Sequence, residues 1–188
     1  MSSAPADPPR GTIEGLRTPA LVCVRSVVQR NCTRMLDRAA ELGCRLRPHV
    51  KTHKTLEGGS LQTGGTRRAI TVSTLAEAEF FAAGGFDDIL YAVPITADKL
   101  PDAARLTRRL GTFHVMVDHP RQLDAILAAG PPAPGAPWSV VVMVDFSGVG
   151  SPSLFSQETC INSIVDAVAI IVFIHGSIHA TVSVVIIA

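Results

Sequence analysis

Short apolar runs recur along the chain at a spacing that suits one β-strand followed by one α-helix. Between these runs, apolar residues follow helical spacing, so strands and helices alternate throughout residues 18–145. Such alternation is typical of an α/β fold, in which helices cover a parallel sheet. The predicted strands are residues 45–50, 68–72, 89–93, 113–117 and 139–144.

Local signals for the starts and ends of helices agree with this alternation. Residues 26–29 and 74–77 both have the spacing of a capping box, and Asp118 can cap a third helix. Glycine is the residue that most often ends a helix, and one follows each of the three helical patterns. These glycines are Gly43, Gly84 with Gly85, and Gly130.

Five β-α units leave two architectures open. They are too few to close an eight-stranded barrel, so the pattern fits a partial (β/α) barrel, with an open doubly wound sheet as the alternative. No GxGxxG or GxxxxGK[ST] motif follows any of the predicted strands. Because those motifs cradle nucleotide phosphates, their absence argues against a nucleotide-binding sheet.

A basic segment of sequence RPHVKTHK, residues 47–54, ends the first apolar run. Side chains alternate along an extended strand, so Val50 should face the helices, whereas Arg47, His49 and Lys51 should face the interior. Lys51 then lies at the carboxyl end of its strand, where barrel enzymes gather their catalytic groups. The segment is therefore a candidate active site.

A lysine in this setting suits attack on a carbonyl group. The pKa of a free lysine amine is about 10.4, but nearby positive charge and partial burial both favour the neutral, nucleophilic form. We expect Arg47, His49, His53 and Lys54 to supply that charge to Lys51. On the residues alone, two other interpretations stay open, namely a solvated basic loop and a phosphate-binding patch of an interaction module.

The overall composition disfavours several classes of partner. A formal net charge of +1 over 188 residues gives no field that would attract nucleic acid or an anionic membrane. The four cysteines lack metal-finger spacing and the first residues do not resemble a signal peptide, so we expect a cytoplasmic protein. Residues 1–17 are rich in Pro, Gly and Ser, which predicts a flexible leader.

The basic segment and its surroundings resemble the eukaryotic D-serine dehydratase family and its relative D-threonine aldolase. The resemblance rests on LRPHVKTHKTLEG at residues 46–58, on TPALV at residues 18–22 and on ITVSTLAEAE at residues 70–79. It covers residues 18–145. Members of this family have the alanine-racemase-type barrel of the fold-type III enzymes, a TIM-type (β/α) barrel that binds pyridoxal 5'-phosphate. The resemblance thus implies a partial pyridoxal-phosphate-binding barrel domain.

The resemblance also implies roles for single residues. Lys51 matches the lysine that forms the Schiff base with pyridoxal phosphate, and it is the implied catalytic residue. His49 and Thr52 belong to the same motif and should stand close to the cofactor. Lys54 then has a supporting or surface role.

The implied reaction is the conversion of D-serine to pyruvate and ammonia by a lyase that uses pyridoxal phosphate and zinc. The alternative is a D-threonine aldolase-like lyase, which breaks the Cα–Cβ bond of a β-hydroxy D-amino acid with a divalent metal. The implied partner is a small D-amino acid, with neither nucleic acid nor a membrane. Complete members of the family are expected to be homodimers.

The chain departs from the family pattern after Asp145, and residues 146–188 form an unrelated apolar tail. The family's last barrel strands, its second β-rich domain and its zinc ligands, a His and a Cys, find no counterpart there. We therefore expect a truncated form with little or no activity, or a non-catalytic fragment that binds pyridoxal phosphate. Cys160, His175 and His179 are interpreted as bystanders, so no metal ligand is assigned.

Residues 161–188 are rich in Ile and Val. Asp166 and Gly176 interrupt the apolar run, and the β-branched residues favour strands over a membrane helix. We expect this tail to pair with the open edge of the sheet, or to stay poorly ordered and promote aggregation.

Overall fold

Four parallel strands in chain order form the centre of the fold, and each is followed by a helix or by the tail. The structure is a computed structural model, which describes residues 11–145, 170–175 and 181–186. The parallel strands are β1 (Arg68–Val72), β2 (Asp87–Pro94), β3 (Phe113–Val117) and β4 (Ser139–Asp145). The helices are α1 (Arg25–Glu41), α2 (Leu56–Gln62), α3 (Leu75–Ala83), α4 (Leu100–Arg109) and α5 (Pro120–Ala129). Short 3-10 turns occupy Ile13–Gly15 and Ala97–Lys99.

The predicted strand at residues 45–50 is reduced to a single parallel bridge, between His49 and Thr71 of β1. The amide of Val50 donates to the carbonyl of Thr71 at 2.9 Å, and the amide of Thr71 donates to the carbonyl of Pro48 at 2.9 Å. Within the described residues, no strand pairs with the outer side of this segment. The prediction of a fifth regular strand is therefore wrong, although the segment does lie beside β1.

The other four strands confirm the sequence pattern closely. The predicted bounds of β1 and β3 are those of the structure, and β2 and β4 extend beyond the predictions by one to two residues. Parallel pairing of β1 with β2, β2 with β3 and β3 with β4 follows from the helical connections, which return each strand in the same direction.

Among residues 11–145, the helices that pack on the sheet all cover one face of it. Ile70, Val72 and Val115 on that face belong to one buried core with Phe81 of α3 and Leu106 of α4. The opposite face carries a second, smaller apolar cluster. A doubly wound sheet would have helices on both faces, so the helices observed here define a partial (β/α) barrel whose bare face is the barrel interior. The second cluster consists of Leu90, Met116 and Val141, with Ala92 and Met143 beside them.

Helix starts were predicted with mixed success. The hydroxyl of Thr74 accepts from the amide of Glu77 and begins α3, as the capping-box spacing predicts. The capping box at Ser26 is wrong, because α1 begins at Arg25, after Val24, without a side-chain cap.

The predicted cap at Asp118 is displaced by one residue to His119, whose Nδ1 accepts from the amide of Arg121. Pro120 explains the shift, since proline favours the first position of a helix and so makes the preceding residue the cap. Gln122 completes this cap, because its side-chain oxygen accepts from the amide of His119.

The tail adds two strands, β5 (Ile170–His175) and β6 (Thr181–Ile186). Strand β6 pairs antiparallel with β4 and β5 pairs antiparallel with β6, so the sheet order is β1-β2-β3-β4-β6-β5. Pairing with the open edge was one of the two expectations for the tail. No helix in the described residues is long and apolar enough to cross a membrane. Residues 1–10, Cys160 and His179, on which predictions were also made, lie outside the described residues.

Candidate active site

Lys51 lies in the turn that links the bridge at His49 to helix α2. The preceding residue, Val50, is fully buried in the core under the helices, as alternation along an extended segment predicts. Lys51 itself is exposed, and its amine makes neither a hydrogen bond nor a salt bridge with any described residue. The lysine is thus at the predicted end of its segment, with a free amine open to water.

His49 contacts the backbone of Lys51 and senses its charge. Its Nδ1 accepts from the backbone amide of Lys51 at 3.2 Å, so the neutral ring carries its proton on Nε2, 3.3 Å from the hydroxyl of Ser73. Partial burial lowers the pKa of His49, the charge of Lys51 lowers it further, and Glu77 partly opposes this shift. At neutral pH the ring is therefore uncharged, with Nδ1 toward the backbone amide of Lys51 and the Nε2 proton toward Ser73.

Lys54 was expected to supply positive charge to Lys51, and this is not what the structure shows. Its Nζ lies 3.0 Å from Oε1 of Glu77, whose side chain is only 8% exposed. Burial raises the pKa of Glu77, but the amide of Ser73, which donates to Oε2 at 2.8 Å, and the ammonium of Lys54 together lower it overall. Glu77 thus stays ionised and compensates the charge of Lys54.

Arg47 was also expected beside Lys51, yet it serves a different part of the molecule. Its Nη2 lies 2.7 Å from Oδ1 of Asp88 and 3.4 Å from Nε2 of His114, and its Nη1 donates to the carbonyl of Asp88 at 3.2 Å. Its side chain is only 13% exposed, so it is largely removed from water. Arg47 lies away from Lys51 because side chains alternate along an extended segment. Residues 47, 49 and 51 share one face, and His49 lies between the other two.

The partners of Arg47, which were not predicted from the sequence, form a polar layer across the starts of the strands. His114 is buried, and its Nδ1 lies 2.7 Å from the hydroxyl of Ser139, while its Nε2 lies 3.3 Å from Oδ1 of Asp88. A signal was present, because a polar residue occurs at or near the start of β2, β3 and β4 in an otherwise apolar strand. In a barrel, such residues share one interior layer.

His53 and Thr52 are the remaining residues of the motif. The Nε2 of His53 lies 2.9 Å from the side-chain oxygen of Gln62, and its Nδ1 lies 3.1 Å from the hydroxyl of Thr55, so His53 contacts the cap of α2 and its last residue. Its predicted contribution of charge to Lys51 stays a prediction. Thr52 is exposed in the turn beside Lys51, and its predicted nearness to a cofactor stays a prediction.

Metal ligands were not assigned from the sequence. Among residues 11–145 and the two described tail strands, no three side chains of His, Cys, Asp or Glu lie close enough together to hold a metal ion.

The arrangement combines a free primary amine with a neutral imidazole and a hydroxyl on the interior face. An amine of this kind can attack an aldehyde, and the imidazole next to it can hold or transfer a proton. These are the components of a site for carbonyl chemistry at the carboxyl ends of barrel strands.

Comparison with known proteins places this geometry in a family. The chain is 39% identical over 141 residues to the D-serine dehydratase of Schizosaccharomyces pombe, a match that covers 71% of this chain and 34% of the relative. It is 40% identical over 141 residues to the D-serine dehydratase of Dictyostelium discoideum, covering 71% of this chain and 35% of the relative. The chain thus spans about a third of the length of the curated relatives it matches.

Solved structures agree with this placement. The D-threo-3-hydroxyaspartate dehydratase of Delftia superposes with a TM-score of 0.69 at 40% identity, over 76% of this chain and 38% of that structure. No protein-family model matches the chain. Over the residues that it shares with these proteins, the chain belongs to the D-serine dehydratase-like family of alanine-racemase-type barrels.

Proposed function

We propose that the protein is a pyridoxal-phosphate-dependent lyase that acts on D-serine and releases pyruvate and ammonia, with Lys51 as its cofactor-binding residue. The observation that carries this proposal is the contrast between the two lysines of the motif. Lys54 is paired with Glu77, whereas the amine of Lys51 has no hydrogen bond or salt bridge within the described residues. Only an unpaired amine can react with an aldehyde without first breaking a contact.

The residues near Lys51 fit the aldehyde end of such a cofactor. Lys51 offers the amine, and His49 and Thr52 stand on either side of it in the chain, with Ser73 within reach of the imidazole. These residues would hold the cofactor at its reactive end. When bound, pyridoxal phosphate supplies an electron sink for the pair of electrons left when the α-proton of an amino acid departs.

The side chains of this chain would then manage protons around the substrate. Lys51 can accept the α-proton at Nζ, because an amine released from the cofactor is a base within reach of the α-carbon. His49 stays neutral at pH 7 and can donate from Nε2, which already faces the hydroxyl of Ser73. The imidazole thus keeps a mobile proton near the lysine without adding a second positive charge.

The chain is more similar to dehydratases than to an aldolase, which favours dehydration over aldol cleavage as the proposed reaction. Identity to the relatives named as dehydratases is 36% to 42%, whereas identity to the 3-hydroxy-D-aspartate aldolase of Paracoccus denitrificans is 30%. Zinc, which the family resemblance implies, has no set of three ligands within the described residues. We therefore assign no step of the reaction to a metal held by these residues.

The proposed site is tested by trapping the reacting amine. The purified chain is incubated with pyridoxal phosphate and reduced with borohydride, and the modified peptide is mapped by mass spectrometry. We expect the label at Lys51, and the variant Lys51→Arg should lose it while Lys54→Arg retains it. A label at Lys54 alone, or spread evenly over the surface lysines, would show that the assignment of Lys51 is wrong.

Turnover is tested separately with D-serine and added zinc, by following pyruvate. Because Lys51 is exposed to water, we expect much less activity from this chain than from a curated D-serine dehydratase assayed in parallel. Comparable turnover would contradict this part of the proposal.

Two further features complete the proposal. We propose a reducing compartment, the cytoplasm, because Cys23, Cys32 and Cys44 are free thiols. We also propose a homodimer, as the family resemblance implies, and analytical ultracentrifugation of the purified chain tests this mass.

A further inference from the structure

We propose that Glu77 selects which lysine of the motif reacts, by holding Lys54 as an ion pair and leaving Lys51 as the available amine. This inference rests on the proposed function, since it concerns the same aldehyde chemistry. Glu77 does not touch the reacting atoms, and it is therefore a positioning residue that acts through Lys54.

Exposure alone cannot explain a preference for Lys51. The side chain of Lys54 is 60% exposed, so an aldehyde in solution can reach it as well. Lys54 also lines a surface groove of about 290 Å³ together with Thr74, Ala76, Glu77 and Phe80. Two accessible amines thus lie three residues apart, and something other than burial must distinguish them.

The distinction lies in the contacts of the two amines. The neutral amine adds to the aldehyde carbon, and loss of one water, whose hydrogens come from the amine, leaves a carbon–nitrogen double bond. Lys54 must first lose both its proton and its 3.0 Å contact with Glu77. Lys51 has no such contact to break within the described residues.

Glu77 suits this role because hydrogen bonds to the backbone and to Thr74 hold it in position. Its Oε2 accepts from the amide of Ser73, and its own amide donates to Thr74 at the start of α3. Its side chain is only 8% exposed, so packing holds the carboxylate at the position where Lys54 meets it.

The test compares the label at Lys51 with the label at Lys54 in one preparation. Glu77→Gln keeps an oxygen for the amide of Ser73 and removes the charge. We expect the ratio of Lys51 to Lys54 labelling by pyridoxal phosphate and borohydride to fall by roughly three- to fivefold, the upper end for surface ion pairs, because Glu77 is largely buried. The matched control is Glu79→Gln on the same helix, which removes an equal charge from the pairs with Arg105 and Arg109 and should leave the ratio unchanged.

The outcomes separate this inference from the proposed function. If wild type is labelled at Lys51 and Glu77→Gln keeps the same ratio, the role of Glu77 is wrong and the assignment of Lys51 stands. If wild type is labelled mainly at Lys54, the pair does not protect that amine and both ideas fail. A fall of equal size in Glu79→Gln would likewise overturn the inference, because it would reflect net charge alone.

A measurement on the unmodified protein covers the case in which Glu77→Gln does not fold. Added salt screens this ion pair in part, because the side chain of Lys54 is 60% exposed. The share of label at Lys54 should therefore rise between low and high sodium chloride. A ratio that stays constant would overturn the inference.

Discussion

The Nη2 of Arg47 lies 2.7 Å from Oδ1 of Asp88, which ties the lysine-bearing segment to strand β2. Within the part of the chain that the structure describes, this segment makes one β-bridge to the sheet, and the ion pair gives it a second attachment. Both side chains are largely removed from water, at 13% and 20% exposure. The position of Lys51 thus depends on a contact at the opposite end of its segment.

Breaking this ion pair should destabilise the protein. We expect Arg47→Met to lower the free energy of unfolding by about 1–3 kcal/mol, because it leaves Asp88 charged and partly buried without its main partner. Urea denaturation followed by circular dichroism measures the change. The control is Arg38→Met, whose pair with Glu41 is 63% exposed on both sides and should contribute less than about 0.5 kcal/mol. Equal losses in the two variants would contradict the prediction.

The same pair predicts how stability depends on acid. Burial raises the pKa of Asp88, but the hydrogen bond to His114 and the charge of Arg47 outweigh it, and the pKa is lowered. A lowered pKa stabilises the folded state above the unfolded value of about 3.9, and the contribution is lost as pH falls through the folded value. The urea concentration at half unfolding should therefore decrease in wild type as pH is lowered below about 4. The decrease should be smaller in Asp88→Asn, and an equal decrease would show that Asp88 does not cause this pH dependence.

Periodic features of this chain could be predicted from sequence, whereas pairings between distant residues could not. The bounds of β1 and β3 follow from runs of apolar residues, and the burial of Val50 follows from alternation. Arg47 and Asp88 are 41 positions apart in the sequence, and no local pattern signals their contact. The same holds for Lys54 and Glu77, which are adjacent only because the segment lies beside the start of α3.

The helix caps show a similar limit. Two stretches share the capping-box spacing, yet Thr74 caps its helix and Ser26 does not. The difference is tertiary, since α3 packs in the core through Phe81 while only Ala39 of α1 is buried. Spacing alone therefore could not tell which box would form.

This difference between the caps can be measured. We expect Thr74→Ala to lower the free energy of unfolding by about 1 kcal/mol, because the amide of Glu77 loses its acceptor. Ser26→Ala should be neutral or slightly stabilising, since Ser26 is exposed inside α1 and alanine is the better helix former. Thermal denaturation of both variants checks the pair. A loss of the same size at Ser26 would show that α1 is capped after all.

Gly59 in α2 is fixed by packing against aromatic rings. A Cβ at this position would lie 2.9 Å from Cζ of Phe86 and 3.1 Å from Cε1 of Phe81, both of which are buried. We expect Gly59→Ala to destabilise the fold by about 1–3 kcal/mol, even though alanine favours helices. Gly15→Ala is the control, because nothing lies within 4 Å of its Cβ. A stabilised Gly59→Ala variant would mean that the rings move aside at little cost.

The titration of His49 tests the electrostatics of the candidate site directly. Burial and the charge of Lys51 lower the pKa of this ring, and Glu77 opposes the shift. The titration midpoint of His49 in wild type, measured by NMR, should thus lie below the pKa of about 6.5 for a free histidine. Lys51→Met should raise the midpoint by removing a positive charge, and Glu77→Gln should lower it by removing a negative one. Since the lowered pKa favours the neutral ring, its contribution to stability is complete above about pH 6.5 and is lost as pH falls through the folded value. A titration midpoint that neither substitution changes would mean that the ring does not sense the charges of Lys51 and Glu77, and this account of the electrostatics of the site would be wrong.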